Sequence, residues 1–475
     1  MERFAADVAS RQGRKTLRKG EKRKEKVAIV GSGHAGLTCA YHLARMGYGV
    51  TVFEALPVLG GMLRVGIPEY RLPKKVLEEE IDHILELEVK AEVNARLGDG
   101  LPWSALKEYQ AIFLAVGNHR SKNLGIPGEA AEGIMSGIEF LKSVNLDQKV
   151  ILGKKVAVIG GGNTAIDAAR TTLRLGGKPF ILYRRTREEM PAFPAEIMEA
   201  EEEGIEISYL VSPVQVRIEN GRVSKLECVK NRLGPADEDG RRRPVPIKGS
   251  NFIMAVDQII SAIGEEADLA GVPQKIGIKE NVIRTDERGG TKQKGIFAGG
   301  DIIRQPHTVV HAIGSGKRAA IFIDCFLRGK KWEGLFEAIR IGELGSLSMK
   351  QYLQDERDRS PISSQTARLK DLNLDYFDYK KRQRIAKAPL AKRIGSFEEV
   401  NLGFSEETAA EEAQRCFNCG VCNLCDNCYI LCPDVAILKQ REDGPNIVDY
   451  DYCKGCGICV EECPRNAMVM EEEKK

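Results

Sequence analysis

Cysteine is nearly absent from the first four hundred residues: of 13 in the chain, only Cys39, Cys228 and Cys325 precede Cys416. That distribution excludes the disulfide framework of a secreted protein and points to a reducing, cytoplasmic setting. Long hydrophobic runs are lacking too. No stretch reaches the roughly 18 apolar residues of a membrane span, and Met1 opens a polar, basic segment without the apolar core of a secretory signal. Aromatic residues are 6% of the chain, with only two Trp. Residues 1–26 hold ten Lys/Arg against four Asp/Glu, but Phe4 is their only aromatic and no nucleic-acid motif accompanies them. The expectation is a solvated, partly disordered basic arm and no nucleic-acid partner. The six histidines show no metal-ligand pairing on a recognisable helix; His307 and His311 lie four apart but follow a candidate cofactor turn.

The cysteines that are present cluster tightly. Ten lie between Cys416 and Cys463, and Cys422, Cys425, Cys428, Cys432-Pro433 and Cys453, Cys456, Cys459, Cys463-Pro464 spell CxxCxxCxxxCP twice. Three thiolates on one loop hold three corners of a [4Fe–4S] cube, and the fourth comes from the other loop. The expected sets are Cys422, Cys425, Cys428 with Cys463, and Cys453, Cys456, Cys459 with Cys432. Zinc sites pair separated CxxC units and rarely carry this run, so two clusters are expected. Cys416 and Cys419 are two thiols, too few for a cluster alone. They read as structural, with a ligand role left open.

A length of 475 residues with 48 Gly suits about three domains of α/β type with many tight turns. Lys26 to Val30 reads as a strand running into Gly31-Ser32-Gly33-His34-Ala35-Gly36, a helical pattern, and a second strand ending at Glu54. In that context GxGxxG has a mechanism: Gly31 turns the chain, Gly33 lets backbone amides approach a diphosphate, Gly36 lets helix and strand pack, and Glu54 can accept hydrogen bonds from a ribose. The pattern recurs at Lys155 to Ile159, where Gly160, Gly162, Asn163, Thr164 and Ala165 open the next helix. The following strand ends not in an acid but in Arg184 and Arg185, a fork suited to a 2′-phosphate. One acidic and one basic dinucleotide unit imply FAD in the first and NADP(H) in the second. Two further apolar strands end at Gly117 and Gly264, and Gly299-Gly300-Asp301 offers a carboxylate to the ribityl chain.

The stretches GSGHAGL, GGMLRVGIPEYRLP, GGGNTAIDAAR, YRRTREEMPA, GIFAGGD and RCFNCG resemble the NADPH-oxidising small subunit of glutamate synthase and its relatives, over about residues 26–330. The resemblance implies an FAD domain split around the NADPH domain, with Gly60, Gly61, Arg64 and Arg71 along the flavin and the helix after Thr308 aimed at its ring. Three departures stand out. His34 occupies a position usually held by Pro; the cluster cysteines follow the flavin region instead of preceding it; and no CxxC lies between Gly160 and Gly264, which disfavours disulfide reduction.

The expected fold class is therefore α/β, with two Rossmann-like dinucleotide-binding domains plus a small α+β bacterial-type ferredoxin domain. The expected order begins with a basic arm (1–25), the leading segment of the FAD domain (26–150) and the NAD(P)H domain (151–265). The closing segment of the FAD domain (266–330), a helical or irregular linker (331–408) and the ferredoxin domain (409–475) follow. The expected function is electron transfer between NADPH, FAD, two [4Fe–4S] clusters and a partner oxidoreductase or ferredoxin, within a hetero-oligomer. Two alternatives are a glutamate synthase small subunit and a non-catalytic assembly subunit. No catalytic nucleophile, acid or base is required, because hydride transfer depends on ring stacking and excluded water.

Overall fold

The computed structural model describes residues 1–13, 16–237, 240–342, 345–354, 367–440 and 444–472. The chain forms two compact units: Lys15–Trp332 with Lys387–Leu402, and Met1–Arg14 with Glu333–Ala386 and Gly403–Lys475.

The larger unit is built on two five-stranded parallel sheets. The first runs in the order Ile296–Ala298, Ala111–Leu114, Lys26–Val30, Gly49–Phe53, Lys90–Glu92. The second runs Glu206–Tyr209, Lys178–Tyr183, Lys155–Ile159, Gln258–Ser261, Ile134–Ser136. Lys26–Val30 and Lys155–Ile159 are buried at every residue but the first, the unbroken apolar run that a strand covered by helices on both faces requires. Because Ile296–Ala298 joins the first sheet after the whole second sheet has passed, the first fold is discontinuous in sequence. The second sheet begins at Ile134–Ser136, earlier than the boundary expected near residue 151. Two separate apolar cores result, one around Val30, Leu114 and Ile296 and the other around Val158, Ile166 and Ile260.

A third, antiparallel sheet of four strands, Val211–Glu219, Arg222–Ala236, Arg242–Pro246 and Phe252–Ala255, is an addition to the expected fold. It packs a further core around Leu226 and Val216. The expected linker divides: Glu333–Ala386 goes with the smaller unit and Lys387–Leu402 with the larger.

Of the expected basic arm, residues 2–11 form a helix in the smaller unit, Glu2–Arg11, with none of them buried; residues 16–25 instead run along the larger unit, where the Gly20 amide donates to the Arg45 carbonyl at 2.8 Å and the Arg23 amide to the Gly47 carbonyl at 2.9 Å. The helix Glu406–Ala413 is capped by Ser405, whose hydroxyl accepts from the Thr408 amide at 3.2 Å. The cysteine region holds two short helices, Asn427–Ile430 and Ile458–Glu461, and an antiparallel pair, Ile437–Leu438 with Ile447–Val448.

Candidate functional site: two nucleotide turns and a cysteine cradle

Each glycine of the first turn answers a different demand. Gly31 has φ +106°, and a Cβ there would lie 2.3 Å from the Ala115 carbonyl oxygen; a Cβ on Gly36 would lie 1.9 Å from the Gly31 oxygen. Those two are packing requirements. Gly33, the N-cap of the helix His34–Arg45, is the opposite case, since a Cβ there would meet nothing within 4 Å. Gly61, at φ +54°, approaches it so closely that its Cβ would sit 2.7 Å from the Gly33 Cα. Ser32 links these residues: its hydroxyl accepts from the Gly60 amide at 3.0 Å, and its amide and hydroxyl donate to Glu54 Oε2 at 2.8 and 2.5 Å. Glu54 is thereby fixed, buried, at the tip of Gly49–Phe53.

Gly31, Ser32, Gly33, Glu54 and Gly61 line a cavity of about 820 Å³, within the usual range for cofactor sites. Gly117, Gly300, Asp301 and Ala312 also line it, and so do Ser136 and Ser261 from the ends of second-sheet strands. Asp301 Oδ1 and His34 Nδ1, both on residues that line the cavity, are buried without a hydrogen-bond partner, so each keeps bonding capacity that a cavity ligand can satisfy. Thr308 caps the helix Val309–Arg328, accepting from the His311 amide at 3.3 Å, and does not itself line the cavity; Ala312, one turn on, does.

Arg64 and Arg71, placed along the flavin by resemblance, are engaged elsewhere. Arg64 pairs with Glu78 at 2.5 Å, and Arg71 with Asp167 at 2.6 Å and Glu196 at 3.2 Å. Neither lines the cavity. The reason is electrostatic: buried carboxylates of the second fold lie within reach of Arg71 and would be costly unpaired. Burial pushes Asp167 up to about 6, against the pull of Arg71.

The second turn repeats the first with local changes. Gly160 has φ +144°, with a Cβ position 2.1 Å from the Ala262 oxygen, whereas a Cβ on Gly162 would find its nearest neighbour only at 4.0 Å. Ala165, in the third glycine's place, is fully buried. Asn163 Oδ1 accepts from the Phe193 amide at 3.0 Å, and Thr164 donates to Glu265 at 3.2 Å, beside Gly264 at φ +119°. The arginines separate in role. Arg185 is buried, bound to Asp237 at 2.5 Å and to the Arg242 carbonyl at 2.7 Å, and Arg187 pairs with Glu201. Arg184 is exposed, and partial burial together with the charge of Arg185 lowers its pKa, a tension that an anion relieves.

Sequence reasoning missed a buried ionic cluster beside this turn. Arg170, fully buried, contacts Glu203 at 2.7 Å, Glu196 at 2.7 Å and Glu199 at 3.0 Å; Arg174 also holds Glu203, and its guanidinium lies 3.9 Å from the Tyr70 ring centroid. The segment Lys387–Leu402 seals it through Arg393–Glu202 at 2.9 Å and the Val400 amide on the Tyr70 carbonyl at 2.9 Å. The available signal was Arg170 and Arg174 four apart on a helix that is otherwise mostly small and apolar.

In the smaller unit a second cavity, about 40 Å³, is lined by Cys432 together with Cys453, Cys456 and Cys459. This is one of the two crossed sets expected from spacing. Amides face the sulfurs: Leu424 N donates to Cys422 Sγ at 3.4 Å, Ala436 N to Cys432 at 3.3 Å and Ala467 N to Cys463 at 3.2 Å. Such bonds stabilise thiolates. Among the described residues no three His, Cys, Asp or Glu converge as ligands of a single metal ion. A four-iron cluster places each thiolate on its own iron, so ligands spread around a cavity fit it and a convergent point does not. Cys416 receives the same kind of bond, from Asn418 N at 3.4 Å, and like Cys419 is exposed.

Paired nucleotide folds sharing a cavity, followed by a cysteine cradle, define a flavin-dependent pyridine-nucleotide oxidoreductase with an iron–sulfur domain. The chain belongs to the pyridine nucleotide-disulphide oxidoreductase family, which matches residues 25–316, and residues 446–469 match the 4Fe-4S binding domain. It is 41% identical over 402 residues to the beta subunit of the NADP(+)-dependent formate dehydrogenase of Moorella thermoacetica, covering 83% of this chain and 54% of that one. It is 39% identical over 432 residues to the NADPH-Fe(3+) oxidoreductase subunit beta of Geobacter sulfurreducens, covering 84% and 62%. The chain thus spans little more than half the length of these relatives. The glutamate synthase [NADPH] small chain of Halomonas elongata is 34% identical, with 67% of this chain and 72% of that one covered. Among solved structures, Mycobacterium tuberculosis FprA in complex with NADPH shares the fold at a TM-score of 0.56 and 18% identity, over 65% of this chain and 85% of that one. Lactococcus lactis thioredoxin reductase does so at 0.50 and 21%, over 64% and 100%. No helix among the described residues is long and apolar enough to cross a membrane.

Proposed function

We propose that this chain is the NADPH-facing subunit of a cytoplasmic electron-transfer complex, exchanging electrons between NADPH and a partner redox protein by way of FAD and two [4Fe–4S] clusters. One observation carries the reading: two nucleotide turns, each with a bare N-cap glycine, belong to a unit with a large cavity, in a chain that also builds a four-cysteine cradle. FAD supplies the conversion between a two-electron hydride donor and one-electron acceptors. The protein's own contribution is placement. Gly33 and Gly61 bring backbone to the flavin diphosphate, Gly31, Gly36 and Gly60 supply the turn and close packing that set them there, Glu54 accepts from the ribose, and Asp301 accepts from the ribityl chain. Gly117 and Gly300 keep the chain clear of the cofactor, and Thr308 fixes the start of the helix that reaches the cavity. In the second fold, Gly160, Gly162, Asn163, Thr164, Ala165 and Gly264 shape the nicotinamide nucleotide's turn and Arg184 grips its 2′-phosphate. Cys422, Cys425, Cys428 and Cys463 hold one cluster, and Cys432, Cys453, Cys456 and Cys459 the other.

The relatives named as beta subunits support a hetero-oligomer whose partner is an oxidoreductase subunit or a ferredoxin. The test is an anaerobic titration of the purified chain with NADPH. Flavin absorbance should bleach and paramagnetic signals of reduced clusters should follow; bleached flavin with iron left oxidised would refute the relay. Copurification from the native source identifies the partner, and a glutamine-dependent, glutamate-forming partner would instead assign the chain to glutamate synthase.

A further inference from the structure

Among the side chains that line the flavin-side cavity, His34 is explained by neither the glycine pattern nor the resemblance. His34 stands at the first helical position after Gly33, at the N-terminus of the 12-residue helix His34–Arg45. It lines the cavity, and its Nδ1 is buried with no hydrogen-bond partner. A second orphan faces the same space: Asp301 Oδ1. The two are brought together by packing. Gly300, the residue before Asp301, sits so close to Ala35, the residue after His34, that a Cβ on it would lie 3.2 Å from the Ala35 Cβ. Imidazole and carboxylate therefore border the bare N-cap, where helix amides favour an anion.

We infer that His34 is a diphosphate-binding group of the flavin site, its imidazole donating to a phosphate oxygen on one side and facing the Asp301 carboxylate on the other. The inference rests on the FAD reading above and adds to it a ligand that is a side chain, where the motif alone supplies only backbone. It also makes cofactor binding proton-linked. Burial lowers the His34 pKa, and Asp301 only partly offsets this. A diphosphate adds negative charge beside the ring and raises the pKa of the bound form. Binding then takes up a proton, so affinity is greatest below the pKa of the free form and falls as pH rises through that of the bound form. The other ionisable groups lining the cavity are Glu54 at the end of a first-sheet strand, His119 and Arg120 on the strand Asn118–Ser121, Lys122, Glu129, Arg96 and Asp268, and Glu139 and Lys142 on the helix Gly137–Asn145. His119 is also held low by burial, so the test must separate the two histidines.

Full-length protein freed of flavin is titrated with FAD at pH 6 and pH 8, following the quenching of flavin fluorescence, as wild type, His34→Gln, His34→Ala and His119→Gln. Wild type and His119→Gln should bind more tightly at pH 6. His34→Gln should bind equally at both values, and His34→Ala should lose roughly tenfold or more in affinity at pH 6, the expected size for a charge-assisted hydrogen bond. A His34→Gln protein that keeps the wild-type pH dependence, or a His34→Ala protein that binds as well as wild type, overturns the inference. Wild-type protein that binds no FAD at either pH overturns the functional reading beneath it instead.

Discussion

At the scale of single residues, chemistry was legible in the sequence but direction was not. The doublet Arg184-Arg185 marks a strand tip built for a phosphate, yet the two side chains face opposite ways, Arg184 into solvent and Arg185 onto Asp237 and the Arg242 carbonyl. Asp237 and Arg242 belong to the antiparallel sheet region, more than fifty residues on, so nothing near the doublet reveals which arginine is spent on structure. This division makes a prediction. Arg184→Gln should raise the KM for NADPH about tenfold or more and leave that for NADH unchanged, because only NADPH carries the 2′-phosphate. Arg185→Gln should lower the melting temperature, since it removes a charged partner of Asp237 and a donor to the Arg242 carbonyl, while altering the NADPH-to-NADH ratio less. Steady-state kinetics with both nucleotides and a thermal melt of each variant decide it; equal loss of NADPH and NADH in Arg184→Gln would contradict the assignment. Arg71 teaches the same lesson. A motif carried it to the flavin, and a buried carboxylate on another helix holds it away.

At the scale of elements, the parallel strands and their glycine turns could be read because local pattern and tertiary demand coincide there. The antiparallel sheet went unread although its clearest mark was present. Asn220-Gly221 joins Val211–Glu219 to Arg222–Ala236 with both residues at positive φ, 52° and 80°, the two-residue turn that Asn-Gly favours. Its strands alternate charge with apolar residues and so resemble surface loop when scanned for buried runs. The helix Asn163–Arg174 misleads in the other direction, since its arginines suggest a solvated face and are in fact covered. Arg170→Met should therefore destabilise the protein by up to about 3–5 kcal/mol in chemical denaturation, because the buried Glu199 and Glu203 would lose the cation they share and keep only Lys387 and Arg174 respectively; a change under about 1 kcal/mol would show the cluster to be well hydrated. The crossed cysteine sets are testable by pairing mutations. Cys432→Ser should remove about four irons, and adding Cys453→Ser should remove no more, because both serve one cluster. Cys422→Ser with Cys432→Ser should remove nearly all. If Cys432 served its own loop, those two outcomes would exchange.

For the whole molecule, the two units draw their stability from different sources. Among its described residues the larger has several apolar cores and the buried ionic cluster. Beyond Arg415, by contrast, Ala436, Ile437 and Pro464 are the only described residues that are buried. Burying a side chain contributes about 1.5–3 kcal/mol at most, while fixing each residue's backbone costs about 1–2 kcal/mol. Three buried residues cannot order a segment of this length, so its stability must come from covalent thiolate links to iron, as in other small metal-dependent domains. Removing iron with an oxidant and a chelator should consequently make the chain beyond Arg415 sensitive to limited proteolysis. The larger unit should keep its melting temperature and its flavin, because none of its cores depends on a cysteine ligand. Mass spectrometry of the fragments and flavin absorbance of the resistant core measure both halves of the expectation. Iron-free protein whose cysteine region stays uncut would mean that the short helices Asn427–Ile430 and Ile458–Glu461 and their small sheet are stable without clusters, and the argument from the missing core would fail.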